Sequence, residues 1–319
     1  MWSDYPEIAE ELKAVEDFIR RNMHSRNRLL SEIAMDLLEA GGKRLRPAFV
    51  IISSKFGKYD REKTIPLAGA LEILHTATLV HDDIIDRSKI RRGKATVSEK
   101  FGADMAVYTG DFLLTKAVLM LSRNISIEKL EYVAKAVKTI CEGEVDQYLD
   151  ACNLDTTVMS YLKRISRKTA VLFGAACALG AMAAECSDNS IRNLARFGFN
   201  YGIAFQIKDD INDFLSDTAV SGKPVGSDLM NGIITLPVIY AVNRSSAVRK
   251  LVAELFRNKD AAASRDISHI TWLIEKHGGM DYSRKILRKY IDKGLKLLGR
   301  LPDNEYRDLF SKLITRLGI

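Results

Sequence analysis

Cysteine is scarce in this chain, and none of it is spaced for metal. Cys141, Cys152, Cys177 and Cys186 are the only four. They read as buried or free thiols in a reducing compartment, so the expected location is cytoplasmic. Proline is nearly as sparse: of six, none lies between Leu67 and Lys223, which leaves that stretch open to uninterrupted helix. Alternating strand patterns are scarce and no low-complexity linker divides the chain. The N-terminal residues run into an amphipathic acidic stretch, which does not read as a targeting segment. The longest apolar run, Val171 to Ala184, contains Gly174 and Gly180. It is too short to span a bilayer and suits a buried, closely packed helix. No aromatic–basic module of the nucleic-acid type is present, so no nucleic-acid partner is expected.

What is present is a chain of 319 residues, 47% hydrophobic and 28% charged, enough for a large core. The net charge of +7 and pI near 9.1 suit an anionic ligand, with at most peripheral membrane contact. Helical spacing recurs, as in Leu130, Val133, Val137, Ile140 and Cys141. Pro47 and Pro66 each precede an apolar run and suit the first turn of a helix. Breaks fall at Gly41-Gly42, Phe56 to Lys58, Arg87 to Thr96, Cys186 to Ser190, Ser216 to Asp228, Asn258 to Ser264 and Leu301-Pro302. The expectation is one all-α domain over residues 1–319, a helical bundle with polar groups projecting into its core.

Two acid clusters stand out. His81-Asp82-Asp83-Ile84-Ile85-Asp86 and Lys208-Asp209-Asp210-Ile211-Asn212-Asp213 share the pattern Asp-Asp-x-x-Asp within apolar, helix-like surroundings. The first and last Asp of each lie one turn apart on the same face, where like charges cost roughly 0.2–0.5 kcal/mol per pair. A single cluster is as compatible with a solvated helix face. Two copies flanked by apolar residues point to a shared cation. Oxygen-only ligands without His or Cys suit Mg²⁺, which keeps water and substrate phosphate in its remaining positions.

Basic residues gather at matching places. Gly41-Gly42-Lys43-Arg44-Leu45-Arg46-Pro47 is a Gly-started basic turn entering a helix, suited to phosphate oxygens. Arg91-Arg92-Gly93-Lys94 follows the first acid cluster, Arg167-Lys168-Thr169 opens the apolar run, and Gly222-Lys223-Pro224 follows the second cluster.

Together these pieces resemble the trans-polyprenyl diphosphate synthases. The resemblance is carried by Gly-Gly-Lys-Arg-x-Arg-Pro, Glu72-Ile73-Leu74-His75-x-Ala77-Thr78-Leu79-x-His81-Asp82-Asp83 and Arg91-Arg92-Gly93. It continues through Tyr108-Thr109-Gly110-Asp111-Phe112-Leu113-Leu114, Lys168-Thr169 and Phe205-Gln206-x-x-Asp209-Asp210-x-x-Asp213-Phe214. It ends with Gly222-Lys223-Pro224-x-Gly226-x-Asp228-Leu229 and Thr235-Leu236-Pro237. The texture is most similar to the catalytic component of two-component hexaprenyl or heptaprenyl diphosphate synthases.

The resemblance implies the isoprenoid-synthase bundle with a central cavity, and condensation of an allylic diphosphate, such as farnesyl diphosphate, with isopentenyl diphosphate. Asp82, Asp86 and Asp209 would bind Mg²⁺ directly, three ions in all, with Asp83, Asp210 and Asp213 binding directly or through water. Arg91, Lys168 and Lys223 would clamp the allylic diphosphate. Lys43, Arg46, His75 and Arg92 would hold isopentenyl diphosphate without metal. Thr169 and Gln206 offer oxygens to the allylic cation or serve as helix-packing hydrogen bonders, and His81 is structural or supports the acid cluster. The resemblance also implies a dimer through helices containing Tyr108 to Leu121 and Glu131 to Tyr148, either homodimeric or with a smaller non-identical subunit.

One departure is visible. Gly232-Ile233-Ile234-Thr235 has isoleucine where many relatives carry lysine after the glycine. Product length is expected to be read along the helix before Asp82. Ala77 is too small to block it, Leu74 and then Leu71 or Ala70 lie deeper, and Thr78 adjoins. An open path implies a medium or long product, each isoprene unit spanning about one ~5.4 Å turn, and the resemblance implies about C30–C40, suited to a quinone side chain. Two alternatives stand beside this. A class I terpene cyclase would not need Lys43, Arg46 and His75. A non-catalytic prenyl-binding subunit would be expected to have lost some of the six aspartates.

Overall fold

The computed structural model describes residues 2–215, 225–257 and 264–318. Nearly all of them are helical; the two strands found among the described residues are two residues long each. The all-α expectation is borne out. Contacts divide the chain into two compact units, one of Met1–Ala134 with Ala175–Ala195, the other of Lys135–Gly174 with Arg196–Ile319.

The first unit contains α1 (Pro6–Asn22), α2 (Arg28–Glu39), α3 (Leu45–Ser54), α4 (Arg61–Ile85), α5 (Val97–Phe101) and α6 (Ala103–Asn124). Helix α4 is its centre and packs on α1, α3 and α6. Every residue from Thr64 to Leu74 is buried, the signature of a helix enclosed on all sides. Asp60 caps it, accepting from the amides of Glu62 and Lys63. This cap starts the helix one turn before the position expected from Pro66. The proline therefore sits inside α4 and removes a single backbone hydrogen bond. Pro47 lies in the first turn of α3 as expected.

Between α4 and α5 the chain forms a hairpin, β1 (Ile90–Arg91) against β2 (Lys94–Ala95), with Ile90 opposite Ala95. Arg92 and Gly93 make its turn with φ of 51° and 75°. Two consecutive positive φ values are the type I′ geometry that matches strand twist. It places the adjacent Arg91 and Arg92 side chains just beyond the first acid cluster.

In the second unit, α8 (Val158–Ile165) starts at a reciprocal Thr157–Ser160 capping box. It continues through a π-helical turn, Ser166–Ala170, into α9 (Val171–Ala183), whose residues from Ala175 on belong to the first unit. Helix α7 (Ile127–Leu149) precedes it and α10 (Asp188–Leu215) follows. Helices then follow at Leu236–Arg244, Ser246–Arg257, Ser264–Lys276, Gly279–Leu298 and Glu305–Thr315. The helix Leu236–Arg244 packs on α8 and on the three helices that follow it. Leu236, Pro237, Val238 and Ile239 are buried there.

Two helical stretches, Ala103–Asn124 and the continuous Val158–Ala183, are long and apolar enough by length and composition to cross a membrane. The second is a core helix, with 72% of its apolar window buried. The first is only 39% buried, and Val107, Tyr108, Val118 and Leu119 are exposed on it.

Candidate active site

The first acid cluster occupies the C-terminal turns of α4, with Asp86 as the capping residue. A helix C-terminus carries partial negative charge, so acidic groups there cost about 0.3–1 kcal/mol each when uncompensated. The three carboxylates are not equivalent. Asp83 is buried, 5% exposed, and accepts from Arg91 Nε at 2.7 Å. Asp82 is half-buried and Asp86 exposed, one turn apart on an adjacent face. His81 turns toward α6, where its Nε2 lies 3.3 Å from Asp111 Oδ1. This contact requires Gly110, since a Cβ there would come within 2.3 Å of that nitrogen. His81 therefore serves as a packing residue between α4 and α6, with Asp111 beside its ring.

The basic wall of the same unit is built on strained backbone. Arg44, at the start of α3, has φ of 48°, and Gly41 and Gly42 also have positive φ. Non-glycine residues adopt that conformation at a cost. Arg44 repays it by three contacts: Nε to Glu16 at 3.0 Å, Nη1 to Glu72 at 2.8 Å and Nη2 to the Leu38 carbonyl at 2.6 Å. Arg92 folds back over the Gly41–Gly42 turn and donates to the Gly41 carbonyl. His75 is pushed well below its usual pKa, first by burial and then by Arg46, Arg92, Arg91 and Arg44. Burial also lowers Arg92. A neutral imidazole among guanidiniums is a prepared anion site: an arriving diphosphate would relieve the repulsion among its cations. The structure thus brings His75, Arg46 and Arg92 together. Lys43 lies exposed on the Gly-started turn, its carbonyl accepting from Trp2 Nε1 at 2.8 Å.

The second acid cluster lies in the last two turns of α10 as described, and it too is divided. Asp210 is 3% exposed and accepts from Tyr161 Oη at 2.6 Å and from Gln206 Nε2 at 2.8 Å. Burial raises its pKa to about 6, against the opposing pull of those two donors. Tyr161, fully buried, is raised well above its usual range, first by burial and then by Asp210. Gln206 accepts in turn from Thr169 Oγ1 at 2.8 Å. One chain of hydrogen bonds therefore runs from Thr169 through Gln206 and Asp210 to Tyr161. Asp213 accepts from Ser227 Oγ at 2.7 Å and from the Asp228 amide at 3.2 Å. Asp209 is exposed.

Lys168 and Thr169 sit within the π-helical turn, a wide turn often found at functional sites. The ammonium of Lys168 pairs with Glu144 of α7 at 2.9 Å. Arg164, one turn earlier and 5% exposed, bridges Asp150 at 3.2 Å and the Ile234 carbonyl at 2.5 Å. It ties down the segment where isoleucine replaces the expected lysine. Lys223 lies outside the described residues.

Sequence reading missed Tyr161, Arg164 and Glu144. All three act through partners at least 14 residues away in the chain, the nearest being Arg164 to Asp150. No local pattern announces such contacts, although Arg164 and Tyr161 lie one and two helical turns before Lys168.

Do these residues fit a divalent metal? The donors are carboxylates without thiol or imidazole, which suits a hard cation that retains water. Among the described residues no group of three ligands closes on one point, so the protein alone builds no complete cage. That fits an ion completed by substrate oxygens, as Mg²⁺ commonly is. Asp86 and Asp209 are exposed and Asp82 is half-buried, while Asp83 and Asp210 are buried against Arg91 and against Tyr161 and Gln206.

In the chain–chain geometry of the α4 interior, Ala77, Leu74, Leu71 and Ala70 are each at most 1% exposed. They form an apolar row below the acid cluster. Thr78 is half-buried and its hydroxyl donates to the His75 carbonyl at 2.8 Å.

Comparison with known proteins places these features. The polyprenyl synthetase family model matches residues 27–274. The chain is 38% identical over 314 residues to heptaprenyl diphosphate synthase component 2 of Geobacillus stearothermophilus, covering 98% of this chain and 97% of that one. Heptaprenyl diphosphate synthase from Staphylococcus aureus superposes with a TM-score of 0.92 at 36% identity, covering 98% of each chain. Polyprenyl synthase from Caulobacter crescentus CB15, solved with calcium and isoprenyl diphosphate, matches with a TM-score of 0.92 at 32% identity, over 98% of this chain and 95% of that one. The chain belongs to the polyprenyl synthetase family and is a chain-elongating prenyltransferase of the trans-polyprenyl diphosphate synthase type, with the all-α isoprenoid-synthase fold.

Proposed function

We propose that the enzyme condenses an allylic diphosphate with successive isopentenyl diphosphates to an all-trans product of about C30–C40, used as a quinone side chain. The observation that carries the reading is the division of labour at the two acid clusters and the basic wall. Solvent-facing carboxylates stand at Asp82, Asp86 and Asp209, and a prepared anion site surrounds His75. The two units would work as one catalytic domain over residues 1–319, in the cytoplasm.

In this reading Asp82, Asp86 and Asp209 hold Mg²⁺ directly, and Asp83, Asp210 and Asp213 steady them. Bound Mg²⁺, three ions in our proposal, would neutralise the diphosphate leaving group as charge develops on it. Arg91, Lys168 and Lys223 take the outer oxygens of that diphosphate. Arg46, Arg92, His75 and Lys43 hold the diphosphate of isopentenyl diphosphate apart from the acid clusters, so that it does not ionise. Thr169 and Gln206, fixed by Asp210 and Tyr161, present oxygen dipoles toward the allylic carbon. The departing diphosphate accepts the proton released when the new double bond forms, so no protein base is required. Apolar surroundings keep water from the cation. Holding both substrates in attack geometry supplies much of the rate.

For assembly we propose at least a dimer. The exposed apolar residues Val107, Tyr108, Val118 and Leu119 on α6, with Val145 and Tyr148 on α7, are surfaces that another subunit would cover. The "component 2" in the name of the Geobacillus relative supports a non-identical partner, which we take to be the smaller subunit. That partner would also compensate for Ile233.

The test is incubation with farnesyl diphosphate, labelled isopentenyl diphosphate and Mg²⁺, with and without a candidate small subunit, followed by product-length analysis. Release of diphosphate with products of about C30–C40 is expected. A cyclic hydrocarbon, or no metal-dependent release under either condition, would overturn the reading.

A further inference from the structure

Charge is unevenly distributed along this chain. Residues 279–319 hold ten Lys and Arg against five Asp and Glu, so they supply five of the seven net positive charges. Their centre is the helix Gly279–Leu298. Its inner face, Met280, Ser283, Leu287, Ile291, Gly294 and Leu298, is buried against the helices Leu236–Arg244 and Glu305–Thr315. Its outer face exposes Arg284, Lys285, Arg288, Lys289, Lys293 and Lys296. These span about 18 Å at ~1.5 Å per residue. Among the described residues only Arg284 has a carboxylate partner, Asp281 at 3.0 Å. Several of the six are spaced three or four apart, where like charges repel and weaken an isolated helix. Nothing in the catalytic reading uses them.

We propose that this helix face docks the enzyme on an anionic lipid surface. Four to eight Lys or Arg on an amphipathic helix match the charge of such a surface. Their aliphatic stems can lie along the interface while the charged ends reach the headgroups. A single-stranded nucleic acid would want open aromatic platforms. Both tyrosines of the helix are already engaged: Tyr282 stacks on Tyr240 at 4.3 Å, and Lys293 covers Tyr290 at 4.4 Å. The choice of lipid over an acidic protein rests on the polyprenyl reading above. A product with a long apolar chain and a diphosphate head belongs in a bilayer, and the reaction that consumes it must draw on it there. Docking the synthase at that surface shortens the product's passage through water.

The experiment is co-sedimentation of the purified full chain with vesicles of phosphatidylcholine alone, or of two parts phosphatidylcholine to one part phosphatidylglycerol. Binding is expected only to the anionic vesicles, and should be lost at about 0.5 M NaCl, where screening shortens to ~5 Å. Replacing Lys285, Lys289, Lys293 and Lys296 together with Gln should weaken vesicle binding by ~100-fold or more. Replacing the same four with Arg should preserve it. Turnover of farnesyl and isopentenyl diphosphates, measured in parallel without vesicles, should be the same in all three proteins. Equal binding to neutral vesicles, undiminished binding of the Gln variant, or tighter binding to a homopolymeric RNA than to anionic vesicles would overturn the proposal. Absence of prenyl turnover in the unmodified protein, both with and without the candidate small subunit, would instead overturn the functional reading, while the vesicle comparison would still decide the surface.

Discussion

Tyr161→Phe removes one oxygen atom from the interior and should be felt in both stability and catalysis. The hydroxyl donates to Asp210 at 2.6 Å, and both residues are almost wholly buried. Phenylalanine fills the same space, so the change is the hydrogen bond alone. A hydrogen bond to a charged group is worth about 1.5–3 kcal/mol, and its loss leaves one Asp210 oxygen without that donor. The expected penalty is about 2 kcal/mol, read as a lower midpoint in urea with the slope unchanged. Its pH dependence has a definite sign. Folding raises Asp210 from 3.8 to about 6, so its protonated form is favoured in the folded state. The stability that this proton supplies is complete below pH 3.8 and is lost as pH rises through about 6. Without Tyr161 the charged form is still less favoured. The gap between variant and parent should therefore be widest at about pH 8. It should narrow toward about pH 5, where the bond is neutral and worth about 0.5–1.5 kcal/mol. Turnover should fall because Gln206 and Thr169 lose their anchor, with kcat affected more than KM. A variant with unchanged midpoint at both pH values would refute the buried-network account.

Four further outcomes are expected. Asp82→Ala and Asp209→Ala should each lower metal-dependent diphosphate release by ~1,000-fold or more while leaving far-UV circular dichroism intact, the scale expected when a group that stabilises transition-state charge is lost. His75 has a folded pKa well below 6.5, so the stability due to its neutrality is present above pH 6.5 and lost as pH falls below it. His75→Gln should remove that acid sensitivity, and NMR titration should show pyrophosphate moving the His75 pKa upward. Ala77→Phe should shorten the product to about C15–C20 in chain-length analysis, with overpacking at this buried site costing about 1–3 kcal/mol in urea denaturation. Gly110→Ala should force His81 off Asp111 and lower the thermal midpoint by an amount equivalent to about 1–3 kcal/mol.

Much of the site was legible because its chemistry is local. The paired Asp-Asp-x-x-Asp clusters and the Gly-Gly-Lys-Arg turn announce themselves through residue type and spacing alone. The split within each cluster was only half legible. Helical spacing places Asp82 and Asp86 on one face and Asp83 about 100° round from Asp82, but it does not say which face is buried. That is settled by Arg91, which returns to Asp83 after the chain turns out of α4 at Arg87, whose φ is 49°. Tyr161 and Arg164 were not legible, because Tyr161 meets Asp210 49 positions away and Arg164 meets Asp150 and the Ile234 carbonyl 14 and 70 positions away. Pro66 was misplaced because the Asp60 cap, not the proline, decides where α4 begins. The π-helical turn at Ser166–Ala170 leaves no mark in the apolar periodicity around it.

The two acid clusters solve one electrostatic problem in different ways. A row of carboxylates cannot all face a ligand, because some must be carried on the side of the helix that packs into protein. At the first cluster the inward carboxylate, Asp83, is paired with a full positive charge on Arg91. At the second, Asp210 is met by the neutral donors Tyr161 and Gln206. An ion pair and a pair of neutral donors both satisfy a buried carboxylate, but at Asp210 burial outweighs the opposing pull of its two donors and holds the carboxyl at about 6. The difference follows from what each partner must also do. Arg91 stands on a hairpin beside the basic wall, where in the proposed reaction a second charge would serve anion binding. Tyr161 and Gln206 stand beside Thr169, where an added cation would oppose the developing allylic charge. Neutral donors steady Thr169 and Gln206 without placing a positive charge next to the carbocation that those residues face in the proposed reaction.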